Sequence, residues 1–203
     1  MMRLNMLLLL CAALGCLGSG CYSPKPIPKA YFETKCDMSV AVDKCPEKAK
    51  ISDSGQGGLI GAMVTAGRGD AMREAMSGIV GDTVKELVRQ RFSERIEEHF
   101  DVYDTGQLAT VITIQQWGWY VPTTVVGIKT GAYHFIIAGS VAVNDAKRPK
   151  SKAKIAKMRV SAMEPIANKP SAELSQEALL KCADKFASEA VAFLVKQKTA
   201  QTK

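Results

Sequence analysis

Cysteine, histidine, tryptophan and lysine are the residues of this chain whose chemistry is worth asking about first. The six cysteines fall at 11, 16, 21, 36, 45 and 182, and the two histidines are His99 and His134. No pair has the CxxC spacing of a zinc site, and the histidines are isolated, so neither a metal centre nor a cofactor site is expected. No GxSxG or comparable nucleophile motif appears either. The acids are scattered among helical stretches where solvation accounts for them. Catalysis is therefore not the expected role. Two other features can carry binding. Trp117, Trp119 and Tyr120 crowd one segment, and the two-residue period of a strand puts both tryptophans on one face. They are either core or an aromatic platform, depending on whether a helix covers that face. The second feature is a run in which Lys147, Arg148, Lys150, Lys152, Lys154, Lys157 and Arg159 occur without one acid between them. Lys150, Lys152 and Lys154 point the same way, which gives a hairpin with a cationic tip. The same charges would also discourage pairing at a strand edge.

The N-terminus has a chemistry of its own. Arg3 is its one charge, Leu4 to Leu17 is almost wholly apolar, and Gly18-Ser19-Gly20 follows. A short basic region, an apolar stretch and a small-residue site make an export signal, expected over residues 1–20. The apolar run is shorter than the roughly 20 residues that cross a bilayer as a helix. Ser19-Gly20-Cys21 resembles the end of a bacterial lipobox, although the leucine, Leu17, stands one place earlier than in that pattern. The resemblance implies that Cys21 becomes the lipid-bearing N-terminus. Gly15-Cys16 is a rival site, and ordinary cleavage after Gly20 would leave Cys21 a plain thiol. Tyr22, which is not aspartate, resembles the sorting default for the outer membrane, facing the periplasm. Ser23 to Pro28 is proline-rich, so residues 21–35 read as a semi-extended tether.

Loss of residues 1–20 leaves 183 of the 203 residues, enough for one domain with a core, expected over 36–197 ahead of a polar tail at 198–203. Composition is 47% hydrophobic and 23% charged, which is globular, and the net charge of +7 becomes +6 without Arg3. A basic exported chain leans toward anionic lipid or glycan as partner, not nucleic acid. Of the cysteines that remain, Cys36 and Cys45 flank a short stretch that could close as a disulfide loop. Cys182 lies on an apolar stripe, where a buried free thiol is the simpler reading. Three pairings, or none, are open to them.

These residues must be positioned by the following elements. Met38 to Val42 alternates like a short strand, and Lys44 to Ser54 reads as loop. Residues 55–69 are glycine-rich and apolar but fit no phosphate-binding pattern. Asp70 is a candidate N-cap for a helix to about His99, with an apolar stripe through Met72, Met76, Val80, Val84, Val88, Phe92 and Ile96. Gly78 and Gly81 in that stretch could admit a close neighbour. A brief strand at 100–103 precedes a three-strand meander: Leu108 to Tyr120, a strand opened by Gly131, and a third through Ala156 to Ala162. Pro165 and Pro170 then break the chain before a helix from about Ala172 to Lys196. Amphipathic helices beside a mainly antiparallel sheet predict an α+β, two-layer domain. This order of elements, with the lipobox, resembles envelope lipoproteins of the LptE-like and CsgG-like kinds. That resemblance implies a non-enzymatic accessory subunit docking to an outer-membrane or transport complex. A stand-alone binder of anionic lipid or glycan, through the basic hairpin and the tryptophan strand, is the other reading.

Overall fold

A computed structural model describes residues 24–53, 72–121, 133–150, 152–166 and 171–196. In chain order these form α1 (Ala30–Glu33), β1 (Asp37–Lys44), β2 (Lys50–Asp53), α2 (Gly81–Ile96), β3 (Asp101–Val102), β4 (Leu108–Val121), β5 (Tyr133–Asp145), β6 (Lys154–Ile166) and α3 (Ala172–Leu194). The fold is α+β: one mixed sheet packed on one side by α2 and α3. The expected signal, Cys21, residues 55–69, Asp70, Gly131, Pro170 and the tail lie outside the described residues.

Among the described residues the sheet has six strands in the order β3-β1-β4-β5-β6, with β2 also alongside β4. The meander β4–β5–β6 is antiparallel, whereas β1 and β2 run parallel to β4. β1 takes the first half of β4 and β2 the second, at Lys50 to Asp53, within a stretch expected to be loop. Phe135, Ile137, Val141 and Val143 on β5 and Ala156, Met158, Val160 and Ala162 on β6 face the helices and are buried. That alternation is the two-residue period of a sheet with one covered face.

Three expectations change here. The helix placed from Asp70 begins at Gly81. Its N-cap is Val80, in extended conformation and 52% exposed, and among the described residues from Met72 to Val80 only the turn at 72–75 is helical. Met72 and Met76 are still core, so the apolar stripe is real although the helix breaks beneath it. Gly81 is where the backbone needs a hydrogen side chain: a Cβ there would lie 2.4 Å from the Pro46 carbonyl oxygen. Gly78 has nothing within 4 Å. The second change is Pro165, which lies inside β6 without breaking it, because β6 is an edge strand where a missing N–H is tolerated. The third concerns the Pro-rich segment, which from Lys25 onward is not a free tether. Lys25 and Lys157 exchange both backbone hydrogen bonds (3.0 and 3.2 Å), the Ile27 N–H donates to the Leu194 carbonyl (2.8 Å), and Ile27 is buried.

The helices are held by their apolar faces. Val84, Val88, Phe92 and Ile96 of α2 and Leu179, Cys182, Phe186 and Ala190 of α3 are buried. Ser171 caps α3 by accepting from the Leu174 N–H at 3.2 Å. A forked Arg95–Asp184 contact joins the two helices, but both side chains are two-fifths exposed or more, so it contributes at most about 1 kcal/mol.

Candidate functional site

The tryptophans do not form a platform. Trp117 and Trp119 are both fully buried. The Trp117 indole N–H donates to the Pro46 carbonyl at 2.7 Å. Trp119 meets Phe135 and Tyr133 edge-on, at 5.5 and 6.3 Å between ring centroids, and its N–H has no partner among the described residues. Val111 and Thr113 do not share their face. A β-bulge between Ile114 and Gln116 shifts the alternation by one, so Ile112 and Ile114 point to the core before it and Trp117 and Trp119 after it. Tyr120 consequently lies on the opposite face, half-buried beside His134 at 6.4 Å. The proposed trio is split by the sheet itself.

The disulfide expectation is also corrected. Cys36, Cys45 and Cys182 are free thiols. The stretch between Cys36 and Cys45 is β1, an extended strand, which puts them about 30 Å apart, while a disulfide needs Cα atoms within about 7 Å. Cys36 contacts the Thr34 hydroxyl at 3.1 Å, and the Cys182 thiol donates to the Ala162 carbonyl at 3.2 Å. Burial pushes Cys182 up to about 12; burial, then the Asp82 carboxylate, pushes Cys45 up to about 11. Both are protonated thiols at neutral pH and poor nucleophiles. Folded protein at pH 8 should therefore alkylate at Cys45 about 100-fold more slowly than an ordinary cysteine, and at Cys182 more slowly still. Iodoacetamide labelling followed by peptide mass spectrometry, native against denatured, checks this.

Cys45 borders an open cleft of about 630 Å3 with Asp43, Lys44, Asp82, Lys85 and Gln115. Its charges are of both signs, and its one thiol is held protonated. Among the described residues no cluster of three or more His, Cys, Asp or Glu is arranged to hold a metal. His99 packs against Phe32 at 6.3 Å, far along the fold from His134 on β5.

The basic hairpin is built as a defined surface. Lys147, Arg148, Lys150, Lys152 and Lys154 are all exposed. The residue that shapes the turn is Asp145, which the sequence did not single out. Only 6% exposed, it accepts from the Tyr31 hydroxyl (3.0 Å) and the Lys147 N–H (3.0 Å), and pairs with the Arg148 guanidinium (3.2 Å). Its own N–H donates to the Ala153 carbonyl at 2.7 Å, closing the base of the turn. Partial burial and then the Asp145 carboxylate hold the Tyr31 phenol above its ordinary value. Through Tyr31 the N-terminal segment and the hairpin become one unit. Asp145→Ala strands three donors and should cost about 2–3 kcal/mol in a urea melt, with Asp145→Asn retaining part of that.

No family model matches this chain, and no curated protein matches it. Among solved structures it is similar to protein XCC0632 from Xanthomonas campestris, described under the family DUF330, at 9% identity and a TM-score of 0.45, over 84% of this chain and 91% of that one. A protein from Caulobacter crescentus overlaps 63% of this chain and 94% of its own at 13% identity, with a TM-score of 0.38. Lipoprotein GNA1162 from Neisseria meningitidis overlaps 70% and 91% at 13% identity, with a TM-score of 0.25. Overlaps of this size assign neither a family nor a function.

Proposed function

We propose that this chain is an exported protein of the bacterial cell envelope, held by lipid on Cys21, that serves as a non-enzymatic accessory or binding subunit. The observation that carries the reading is the N-terminal string itself: one basic residue, an apolar run too short to span a bilayer, then Ser19-Gly20-Cys21. Two structural facts support it. No helix among the described residues is long and apolar enough to cross a membrane. The Cys45 and Cys182 thiols are held protonated, and among the described residues no His, Cys, Asp or Glu cluster is arranged to hold a metal, so what the described part offers a partner is its surface. The partner is an outer-membrane or transport complex on the periplasmic side, met through that surface.

Cys21→Ala tests the anchor. The parent should sediment with membranes and release only into detergent, and its N-terminal peptide should carry acyl mass. The variant should appear in the soluble fraction, since the methylenes of each acyl chain contribute about 0.8 kcal/mol apiece to retention. A variant that stays in the membrane ends the lipid reading. Affinity purification from mild-detergent membranes, repeated at high salt, tests the accessory role through recovery of a stoichiometric protein partner.

A further inference from the structure

We propose that the basic surface built by the β5–β6 hairpin and the docked N-terminal segment is a seat for the anionic phospholipid headgroups of the bilayer that carries the anchor. The inference rests on acylation of Cys21, and it adds a fixed orientation to that reading.

Reach comes first. Only four peptide units separate Cys21 from Lys25, and such a length of chain spans at most about 14 Å. Lys25 is fixed, because its two backbone bonds to Lys157 and the burial of Ile27 two residues on seat it on the edge of β6. The lipid is therefore confined to within about 14 Å of that edge, and the surface that lies there is held beside the headgroups. That surface is the basic one. From Lys147 to Arg159 there are seven bases and no acid, and Lys25 and Lys29 add two exposed ammonium groups. The nearest acid in sequence, Asp145, is buried and already engaged by Tyr31 and Arg148, so it offers little charge to the outside.

A solvated turn would explain isolated lysines anywhere on the molecule, but it does not explain their distribution. The exposed helix faces carry paired charges, Glu86 with Arg89, Arg91 with Glu94 and Glu177 with Lys181. On the side from which the chain leaves toward Cys21, Lys25, Lys29, Lys147, Lys150, Lys152 and Lys154 are exposed, and no acid occurs between positions 147 and 159. At physiological salt, charges interact over about 8 Å, a separation the short connection allows, so these lysines can be brought into the field of anionic headgroups. An acyl group and a polybasic surface together also form the two-signal arrangement that makes membrane attachment stable.

The test uses the mature chain carrying Cys21→Ser, which has no acyl group, and vesicles of phosphatidylcholine alone or mixed with phosphatidylglycerol. The chain should partition onto the mixed vesicles, not onto phosphatidylcholine, and high salt should release it. Each lysine near the surface multiplies partitioning about fivefold, so Lys150→Gln/Lys152→Gln/Lys154→Gln should lower it on the order of 100-fold. Its thermal melt should be unchanged, since all three side chains are exposed. Lys44→Gln/Lys85→Gln, at the other end of β1, should change partitioning little. Equal retention on both vesicle types, an unaffected triple variant, or retention by an acidic polysaccharide without vesicle binding would each overturn the proposal. A native chain found unacylated, whose mature form still partitions onto anionic vesicles, sinks the anchor and leaves the headgroup seat supported.

Discussion

Trp117→Ala should shift the urea midpoint of unfolding downward by about 2 M, the largest loss expected from any single truncation in this protein. The side chain is fully buried in the sheet–helix core, where removing an indole costs about 3–5 kcal/mol, and an m-value near 2 kcal/mol/M converts that to the midpoint shift. Trp117 also does something that a phenylalanine could not. Its N–H bonds the Pro46 carbonyl, and the next residue, Glu47, accepts the Gly81 N–H at 3.0 Å. One indole thus fixes the 45–49 connection that leads into β2 and receives the start of α2. Trp117→Phe should lose about 1 kcal/mol, the hydrogen-bond part, and the difference between the two variants measures the packing part. An alanine variant with the parent's midpoint would mean that Trp117 is not in the core.

Gly118→Ala, one residue along, should be nearly as damaging for a different reason. Gly118 has φ +129°, a backbone conformation that residues with a Cβ rarely adopt, and a Cβ there would lie 2.3 Å from the Lys50 carbonyl oxygen. The backbone term alone costs about 1–3 kcal/mol, and the clash forces β2 away from β4. Hydrogen exchange separates the two effects. The Ile51 amide, in the β2–β4 pairing, should lose protection in Gly118→Ala well beyond the global change, while Val141 amide protection should fall only with global stability. Equal loss at both sites would show that β2 does not respond locally.

What periodicity could reveal, it revealed. The α+β class, the meander, the terminal helix and the buried faces of β5 and β6 follow from apolar spacing that the structure keeps. It failed where one backbone residue overrides a repeating pattern. The stripe through Met72, Met76 and Val80 runs on as if helical, yet Val80 is extended and Gly81 starts a new helix against Pro46. The Ile114/Gln116 bulge likewise inverts the faces of β4, and that inversion hid the fact that Val111 and Trp117 lie on opposite sides. Lys50-Ile51-Ser52-Asp53 reads as loop because nothing local marks it as strand; the second half of β4 supplies its partner. At the candidate surface the lysines were visible in the sequence. The groups that organise them were not, because Tyr31 meets Asp145 across 114 residues and Lys25 meets Lys157 from the far end of the chain.

The parallel pairing of β1 with β4 has a consequence for the order of events when the chain appears N-terminus first, in synthesis or in export. Met38 pairs with Leu108, 70 positions later, whereas β4 and β5 are separated by 11 residues and β5 and β6 by 8. Closure of so long a loop is slow relative to hairpin formation, so the meander assembles first and β1 waits. During that interval β1 is a strand without a neighbour, open to the edges of other chains. Asp37, Asp43 and Lys44, exposed at its two ends, put charge where a stray strand would have to begin pairing.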